Sequence, residues 1–309
     1  MARSMNSRFA LVAMLAAAEV LILGLILSSL HVGASGFHRV DSDSKSYAPV
    51  NAGLAPEVQI EDADSGVTVT PSADGLIHVT DVRSIHGFTW GSVQNLADLA
   101  ISRTFTGVTI TRHGPSSVDD IIGESSQRTE IQVPSGAHLR IVNCSGANVS
   151  GLRNNLEVHS QDGRITLADI RGDVVANSDD GSIHVRDINS NSFEAKTADG
   201  RIEGMNLTID GSSPHATLHS DDGSIILNGR FASGNYDFST NDGRVELGLS
   251  PNADLTINAS TEDGHIYVDG SRYGDGDATA HSIRLGNGTG AMRLATQDGS
   301  IHITTNGAT

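Results

Sequence analysis

The sequence predicts an all-β chain: a right-handed parallel β-helix or β-solenoid, preceded by one N-terminal transmembrane or signal helix. Three observations carry that prediction. An Asp-Gly turn recurs at Asp162, Asp180, Asp199, Asp222, Asp242, Asp263 and Asp298, in steps of 18, 19, 23, 20, 21 and 35 residues. Apolar residues alternate with period 2 into and out of each turn, the signature of strands with one buried face. At the other end of the chain, the 22 residues Phe9–Leu30 are apolar apart from Glu19, Gly24, Ser28 and Ser29.

The N-terminal run is long enough to span a bilayer, which needs ~20 apolar residues. Arg3 and Arg8 on its N-terminal side keep that end cytoplasmic and place the rest of the chain outside. Val20–Leu27 followed by Val32-Gly33-Ala34 also fits a cleaved secretory signal. Both readings export the chain, so residues 1–34 are expected as anchor or signal. Residues 35–57, polar with Ser, Asp and Ala, are expected as a linker.

Residues 58–128 are less regular. Val67–Thr70, Phe105–Thr111 and Thr129–Val133 read as strands, and Ser92–Ile101 as a short helix or irregular strand. Asp74, with Ser72 before it and Ile77 after it, carries a worn copy of the turn. An irregular terminal copy is expected where a repeat stack must be capped.

Residues 129–309 hold the repeat itself. Two positions before each turn Asp stands a hydroxyl residue: Ser160, Ser178, Thr197, Ser220, Thr240, Thr261 and Thr296. Three positions after it stands a β-branched aliphatic: Ile165, Ile183, Ile202, Ile225, Val245, Ile266 and Ile301. Each unit is two short strands sharing one apolar face, and Asp-Gly is expected to join them through positive φ at Gly and a side-chain bond from Asp. One unit alone has nowhere to bury its face. Steps of 18 to 23 residues are half of the ~40–50 that a propeller blade needs, whereas stacked coils cover one another. An antiparallel meander or sandwich is the competing fold, because Asp-Gly also marks hairpins. The long last step holds Ser271–Ala280 and Gly286–Gly290, expected as loops emerging on one side.

Composition bounds the function. The 309 residues carry 20 Lys+Arg against 37 Asp+Glu, a net charge of −17, which argues against a nucleic-acid partner. Aromatic residues are only 4%, so stacking on sugars or bases has few platforms. Cys144 is alone, which leaves no intrachain disulfide and no Cys-based zinc site.

From about Glu130 to Thr309 the chain resembles the bacterial domain family named "putative adhesin". The residues that carry the likeness are Glu130–Ala137, then Asn143-Cys144-Ser145-Gly146, then the serial turns Ser160–Ile165 and Ser178–Val185. Ser-x-Asp-Gly stands here where that family commonly has Ser-Gly-Asp. The resemblance implies an exported, often membrane-tethered β-solenoid of the cell envelope, and it brings no catalytic residues.

Three constellations bring together side chains able to carry chemistry. The turn carboxylates form a ladder if the coils register; at ~4.8 Å spacing their repulsion costs about 1 kcal/mol each in water, so the ladder stands without metal and allows at most weak calcium binding. His78, His184 and His302 share one outward repeat position, but Thr166, Glu203, Ile226, Glu246 and Tyr267 occupy it on other coils, so no His cluster is expected. Arg164, Arg201 and Arg244, with Glu203 and Glu246 two residues beyond, make a charged lateral face. Such a face could host a polysaccharide lyase or hydrolase, yet alternating Arg and Glu more simply make cross-strand pairs. No catalytic, cofactor or metal residues are assigned. The expected function is a non-catalytic adhesive or structural scaffold, tethered to the membrane and meeting envelope glycans or proteins. The alternatives are an envelope-stress or regulatory accessory protein and a polysaccharide-active enzyme.

Overall fold

A computed structural model describes residues 37–40, 43–62, 65–90, 98–112, 121–274 and 279–305. The N-terminal run Phe9–Leu30, read as anchor or signal, lies outside the described residues, as does 92–97 of the segment read as helix or irregular strand. Every regular element among the described residues is a strand, and no helix of these residues is long and apolar enough to cross a membrane.

Two short strands, β1 (Phe37–Val40) and β2 (Asp43–Ser46), lie in the stretch expected as a linker. Then come β3 (Glu57–Asp62), β4 (Gly66–Pro71), β5 (His78–Trp90), β6 (Leu99–Arg103), β7 (Gly107–Arg112) and β8 (Ile121–Val133). The repeat begins with β9 (His138–Cys144) and β10 (Gly146–Ser150), and continues through β11 (Leu156–Ser160), β12 (Ile165–Arg171), β13 (Val174–Ser178) and β14 (Ile183–Ser190). It runs on through β15 (Ser192–Thr197), β16 (Ile202–Ile209), β17 (His215–Ser220), β18 (Ile225–Phe231), β19 (Asn235–Thr240) and β20 (Val245–Leu249). The last elements are β21 (Leu255–Thr261), β22 (Ile266–Val268), β23 (Ser271–Tyr273), β24 (Thr279–Arg284), β25 (Gly290–Thr296) and β26 (Ile301–Thr304).

The chain divides into two compact units. In the smaller one (residues 1–43, 83–96 and 117–126), β1 pairs antiparallel with the far end of β5, Phe37 opposite Trp90. The larger unit contains the stack. There β11 pairs parallel with β13, β13 with β15, β15 with β17 and β17 with β19, while β12, β14, β16, β18 and β20 pair likewise in a second sheet. Alternate strands pair in parallel, which excludes the antiparallel meander. A strand that returns to its own sheet after one intervening strand is the pattern of a coil with two sheets and the core between them.

Register makes the core a set of columns. Leu156, Val174, Phe193, Ala216 and Tyr236 align in one sheet, Ile165, Ile183, Ile202, Ile225 and Val245 in the other, and all are buried. Two residues further on, the column Leu167, Val185, Gly204, Leu227 and Leu247 lacks a side chain at Gly204. A bulge between Gly204 and Leu207 brings Leu207 into the gap, its Cδ1 2.7 Å from where a Gly204 Cβ would sit.

The turns work differently from the expectation. None of Gly163, Gly181, Gly200, Gly223, Gly243, Gly264 or Gly299 has positive φ. Glycine is needed because neighbouring coils touch there: a Cβ on Gly181 would lie 2.1 Å from Gly163 O, and one on Gly200 2.2 Å from Gly181 O. The hydroxyl residue, not the Asp, holds the turn. Thr197 Oγ1 accepts from Gly200 N at 3.2 Å and donates to Gly181 O of the preceding coil at 3.0 Å. Ser220 repeats this with Gly223 N and Gly200 O, both at 2.9 Å. Thr240 reaches Gly223 O at 2.7 Å and Thr296 reaches Gly243 O at 2.8 Å. Each buried hydroxyl thus satisfies two backbone groups that would otherwise be stranded.

Asp74 is the exception, and it lies outside the ladder. Its Oδ1 accepts from Leu76 N at 3.0 Å and sits 2.9 Å from His78 Nε2, and its turn leads to Ile77, which pairs antiparallel with Val50. The ladder instead extends through two turns that lack Asp-Gly. Cys144 aligns with Ser160, and Gly146 aligns with Gly66.

The order of coils in space departs from the order in sequence at both ends. The final coil, β25–β26, inserts between β19–β20 and β21–β22. At the other end β3–β4 lies between β9–β10 and β7–β8. Segment 271–290, expected as lateral loops, therefore supplies capping strands: β23 runs antiparallel on β22 and β24 antiparallel on β21. Likewise β6 runs antiparallel on β7.

Two outcomes follow for chemical denaturation of variants. Thr197→Val keeps the volume but leaves Gly200 N–H and Gly181 O without their partner, and should cost about 1–3 kcal/mol, whereas Thr197→Ser should cost less. Ile202→Asp puts a charge into a fully buried column and should unfold the stack, while Glu203→Lys on the outer face should change stability by no more than about 1 kcal/mol. Equal tolerance of Ile202→Asp and Glu203→Lys would contradict the inward and outward assignment.

Candidate functional site

The outward side of the sheet that follows the turns carries most of the side chains singled out in the sequence. The residues just before the aligned column Ile165, Ile183, Ile202, Ile225, Val245, Ile301 and Ile266 are Arg164, Ser182, Arg201, Ser224, Arg244, Ser300 and His265. Arginine and serine alternate coil by coil, so the exposed guanidiniums of Arg164, Arg201 and Arg244 recur every second coil, about 9–10 Å apart. Beside them run the exposed turn carboxylates in the order Asp162, Asp180, Asp199, Asp222, Asp242, Asp298, Asp263. Asp298 falls between Asp242 and Asp263 because its coil is inserted, with Asp298 N donating to Asn241 O at 2.9 Å and Asp263 N to Gln297 O at 2.8 Å. Among the described residues no three His, Cys, Asp or Glu side chains converge as a metal site.

One column further from the turns, Thr166, His184, Glu203, Ile226, Glu246, His302 and Tyr267 align in that order. His184 and His302 are held apart by three coils. The two glutamates are separated by Ile226 and each has a nitrogen partner: Glu203 Oε2 lies 3.3 Å from His184 Nδ1, and Glu246 Oε2 lies 3.3 Å from Arg244 Nη2. A glycosidase pair needs two carboxyls across one scissile bond with different proton affinities. Here the two carboxylates stand two coils apart, Glu203 beside His184 of the neighbouring coil and Glu246 paired with Arg244 of its own strand. Around His184 and Glu203 the face dips into a shallow depression of about 240 Å³, bordered by Thr166, Arg186 and a half-exposed Met205. It is open and offers a contact surface, not an enclosure.

At the capped end, His302 stacks on Tyr267 with ring centroids 4.6 Å apart. Burial, then the nearby Arg244, holds the His302 imidazole below its ordinary pKa, against a smaller opposing pull from Glu246. On the opposite sheet Glu157 meets His159 at 2.8 Å and Arg140 at 3.2 Å. Partial burial pushes its carboxyl up, but His159 and Arg140 outweigh it and the net shift is downward.

Two arrangements escaped the sequence reading. Where the hydroxyl column would continue past Cys144, Asp62 pairs in register with Arg112, and both are fully buried. Arg112 Nε donates to Asp62 Oδ1 at 2.6 Å and Nη2 to Asp81 Oδ1 at 2.9 Å, with Thr129 and Gln127 completing the network. Burial alone would lower the Arg112 pKa, but Asp81 and Asp62 raise it. Only the topology brings 62, 81 and 112 together. The second is a corner ladder of left-handed residues, Asp169, Asp187 and Asn206, with φ of 49°, 56° and 54°. Asn206 Nδ2 donates to Asp187 Oδ1 at 3.0 Å. Its signal was present, since each stands seven residues after a turn Asp and Asp and Asn tolerate that conformation best.

A family model described as Toastrack DUF4097 matches residues 56–305. No curated protein matches the chain. Among solved structures, a "putative cell adhesion protein" from Clostridium sporogenes has 8% identity, covers 86% of this chain and 100% of its own, and has a TM-score of 0.27. A "putative adhesin" from Bacteroides fragilis has 11% identity, coverage of 86% and 97%, and a TM-score of 0.34. Another "putative adhesin", from Parabacteroides merdae, has 8% identity, coverage of 85% and 96%, and a TM-score of 0.39.

The depressed pKa of His302 makes a signed prediction. Unfolded chains bind its proton at the ordinary ~6.5, folded ones only at lower pH, so this group destabilises the fold as pH drops below about 6.5 and is neutral above it. Comparing melting temperatures at pH 8 and pH 5.5, His302→Gln should lose less than the parent chain. An equal loss in both would remove His302 from the pH response.

Proposed function

The chain belongs to the Toastrack DUF4097 family, and from that premise we propose that it is an exported, membrane-tethered scaffold of the bacterial cell envelope, non-catalytic, which meets a partner along its lateral face. The apolar run Phe9–Leu30 behind Arg3 and Arg8 supports the tether. The observation that carries the lateral reading is the periodicity of that face. One polar residue per coil repeats at strand spacing, with Arg164, Arg201 and Arg244 on every second coil. A surface of that kind matches extended polymers better than compact ligands, because each added coil offers the same contact again. Envelope glycans with hydroxyls and spaced acidic groups fit the alternation of guanidinium and Ser hydroxyl. Glu203 and Glu246 stand two coils apart, each beside a side-chain nitrogen partner, His184 and Arg244, which favours binding over turnover.

The test is retention of the full chain, held in detergent, on immobilised envelope glycans of neutral and acidic type. Retention is expected on acidic glycans and should fall by roughly tenfold or more when Arg164, Arg201 and Arg244 are all changed to Ala. Retention unaffected by the triple change would move the contact off this face. Release of shortened glycan would overturn the non-catalytic reading.

A further inference from the structure

The strand order at the two ends of the stack is not what a repeat chain adopts by simple winding. Sequential winding places each coil on the one made before it, leaving the first and last coils of the sequence outermost and joined by one ladder per sheet. Here the last coil is paired on both sides. In one sheet β25 bonds β19 over Asn235–Thr240 and β21 over Leu255–Thr261. In the other β26 bonds β20 and β22. The mirror arrangement holds at the other end, where β3 bonds both β9 and β7, and β4 bonds both β10 and β8. What lies outermost is a coil from the chain interior, closed by antiparallel strands: β24 and β23 at one end, β6 at the other.

We propose that the inserted coil β25–β26 is a mechanical lock, which makes the C-terminal side of the stack a load-bearing attachment. A chain end pulled along the stack would normally peel the outermost coil by breaking one ladder per sheet, a few hydrogen bonds at a time. On the C-terminal side the segment leading out of the stack, β25–β26, lies in a coil one place inward. Drawing β26 outward requires breaking its bonds to β20 and to β22 together, and the β21–β22 coil with its cap stands in the way. On the N-terminal side β1 and β2 pair with β5 before β3 is reached, so the lock is confined to the C-terminal side. Buried hydroxyls tie the inserted coil in on both sides, with Thr296 Oγ1 donating to Gly243 O at 2.8 Å and Thr261 Oγ1 donating to Gly299 O at 2.9 Å. Beyond the last strand, Thr305 is fastened to Asp269 of the outer coil, its N and Oγ1 donating at 2.8 and 2.6 Å. The lock rests on strand order alone, so it stands or falls separately from the glycan-binding reading.

Single-molecule pulling on the full chain in detergent tests it, in a Cys144→Ser background, which places serine in a column otherwise filled by Ser and Thr. Handles on Asp199→Cys and Ala308→Cys load the inserted coil. Handles on Asp199→Cys and Glu262→Cys load the outer one from the same central anchor. The first rupture force should be higher for the 199–308 pair than for the 199–262 pair, because the inserted coil must part from a coil on each side, whereas the outer coil leaves together with its caps β23 and β24 by parting from one. Equal or lower force at 199–308 overturns the lock. Hydrogen exchange on the unmodified chain gives an answer independent of the handles: amides of β25 and β26 should exchange more slowly than those of β21 and β22, and faster exchange in β25 and β26 would overturn it.

Discussion

Close approach of backbones at the turn edge is the constraint on which the rest of the stack depends. Coils separated by strand spacing leave no room for a side chain where Gly163, Gly181, Gly200 and Gly223 follow one another, and the gap is closed by carbonyl-to-glycine contact. A turn so tight strands an N–H on one coil and a C=O on the next. At Ser178, Thr197 and Ser220 the hydroxyl answers both at once, donating to the preceding coil and accepting from its own turn, while Thr240, Thr261 and Thr296 donate to carbonyls of the neighbouring coil. That explains why Ser and Thr interchange at this position and nothing larger appears. Where the column reaches Cys144 and then Asp62, the polar role passes to a buried ion pair, whose partner Arg112 and second carboxylate Asp81 must all be satisfied for the end of the core to close.

Within the repeat the fold was legible because its signals are local and redundant. Seven copies state the same alternation, and the inward columns follow from period 2 alone. The cause of the glycine was not legible, since Asp-Gly is compatible with a left-handed turn and with a close contact, and only neighbouring coils decide between them. Coil order was hidden for a stronger reason. The 35-residue step before Asp298 announces an insertion, but whether the chain resumes above or below the coil it left depends on which open edge is free, and no residue between 269 and 289 encodes that by itself. Asp74 misled for a related reason: it carries the turn signature, yet its strand partners run antiparallel, and it bonds its own turn as an isolated Asp does.

The lateral face was legible in composition and only partly in arrangement. Arg164, Arg201 and Arg244 were recognisably equivalent, and His184 and His302 were recognisably separated by Glu203, Ile226 and Glu246. Which cation pairs with which carboxylate needed coordinates, because Glu203 finds His184 across the coils while Glu246 finds Arg244 along its own strand. The corner ladder of Asp169, Asp187 and Asn206 was readable at a fixed offset from each turn, and it passed unnoticed because exposed Asp and Asn are expected almost anywhere on a surface.

The turn carboxylates still require a reason, since the hydroxyls hold the turns. Parallel sheets stacked coil on coil expose flat faces and, at each end, a strand edge able to pair with another chain. Antiparallel strands β6, β23 and β24 replace the parallel edges of the outer coils with short ones, and the lateral faces remain broad and low in aromatic residues. An exposed Asp on nearly every coil, within a chain of net charge −17, places like charges at strand spacing along the side where two stacks would otherwise align. Repulsion of about 1 kcal/mol per neighbouring pair is tolerable inside one stack, where the core compensates, and accumulates unfavourably between two stacks with no shared core. An Asp column of this kind opposes alignment of two stacks, and under the proposed function the neighbouring arginines on alternate coils are the groups that would meet an acidic partner. Both columns come from one turn sequence, so on that proposal a single repeat carries both the fold and the chemistry of its surface.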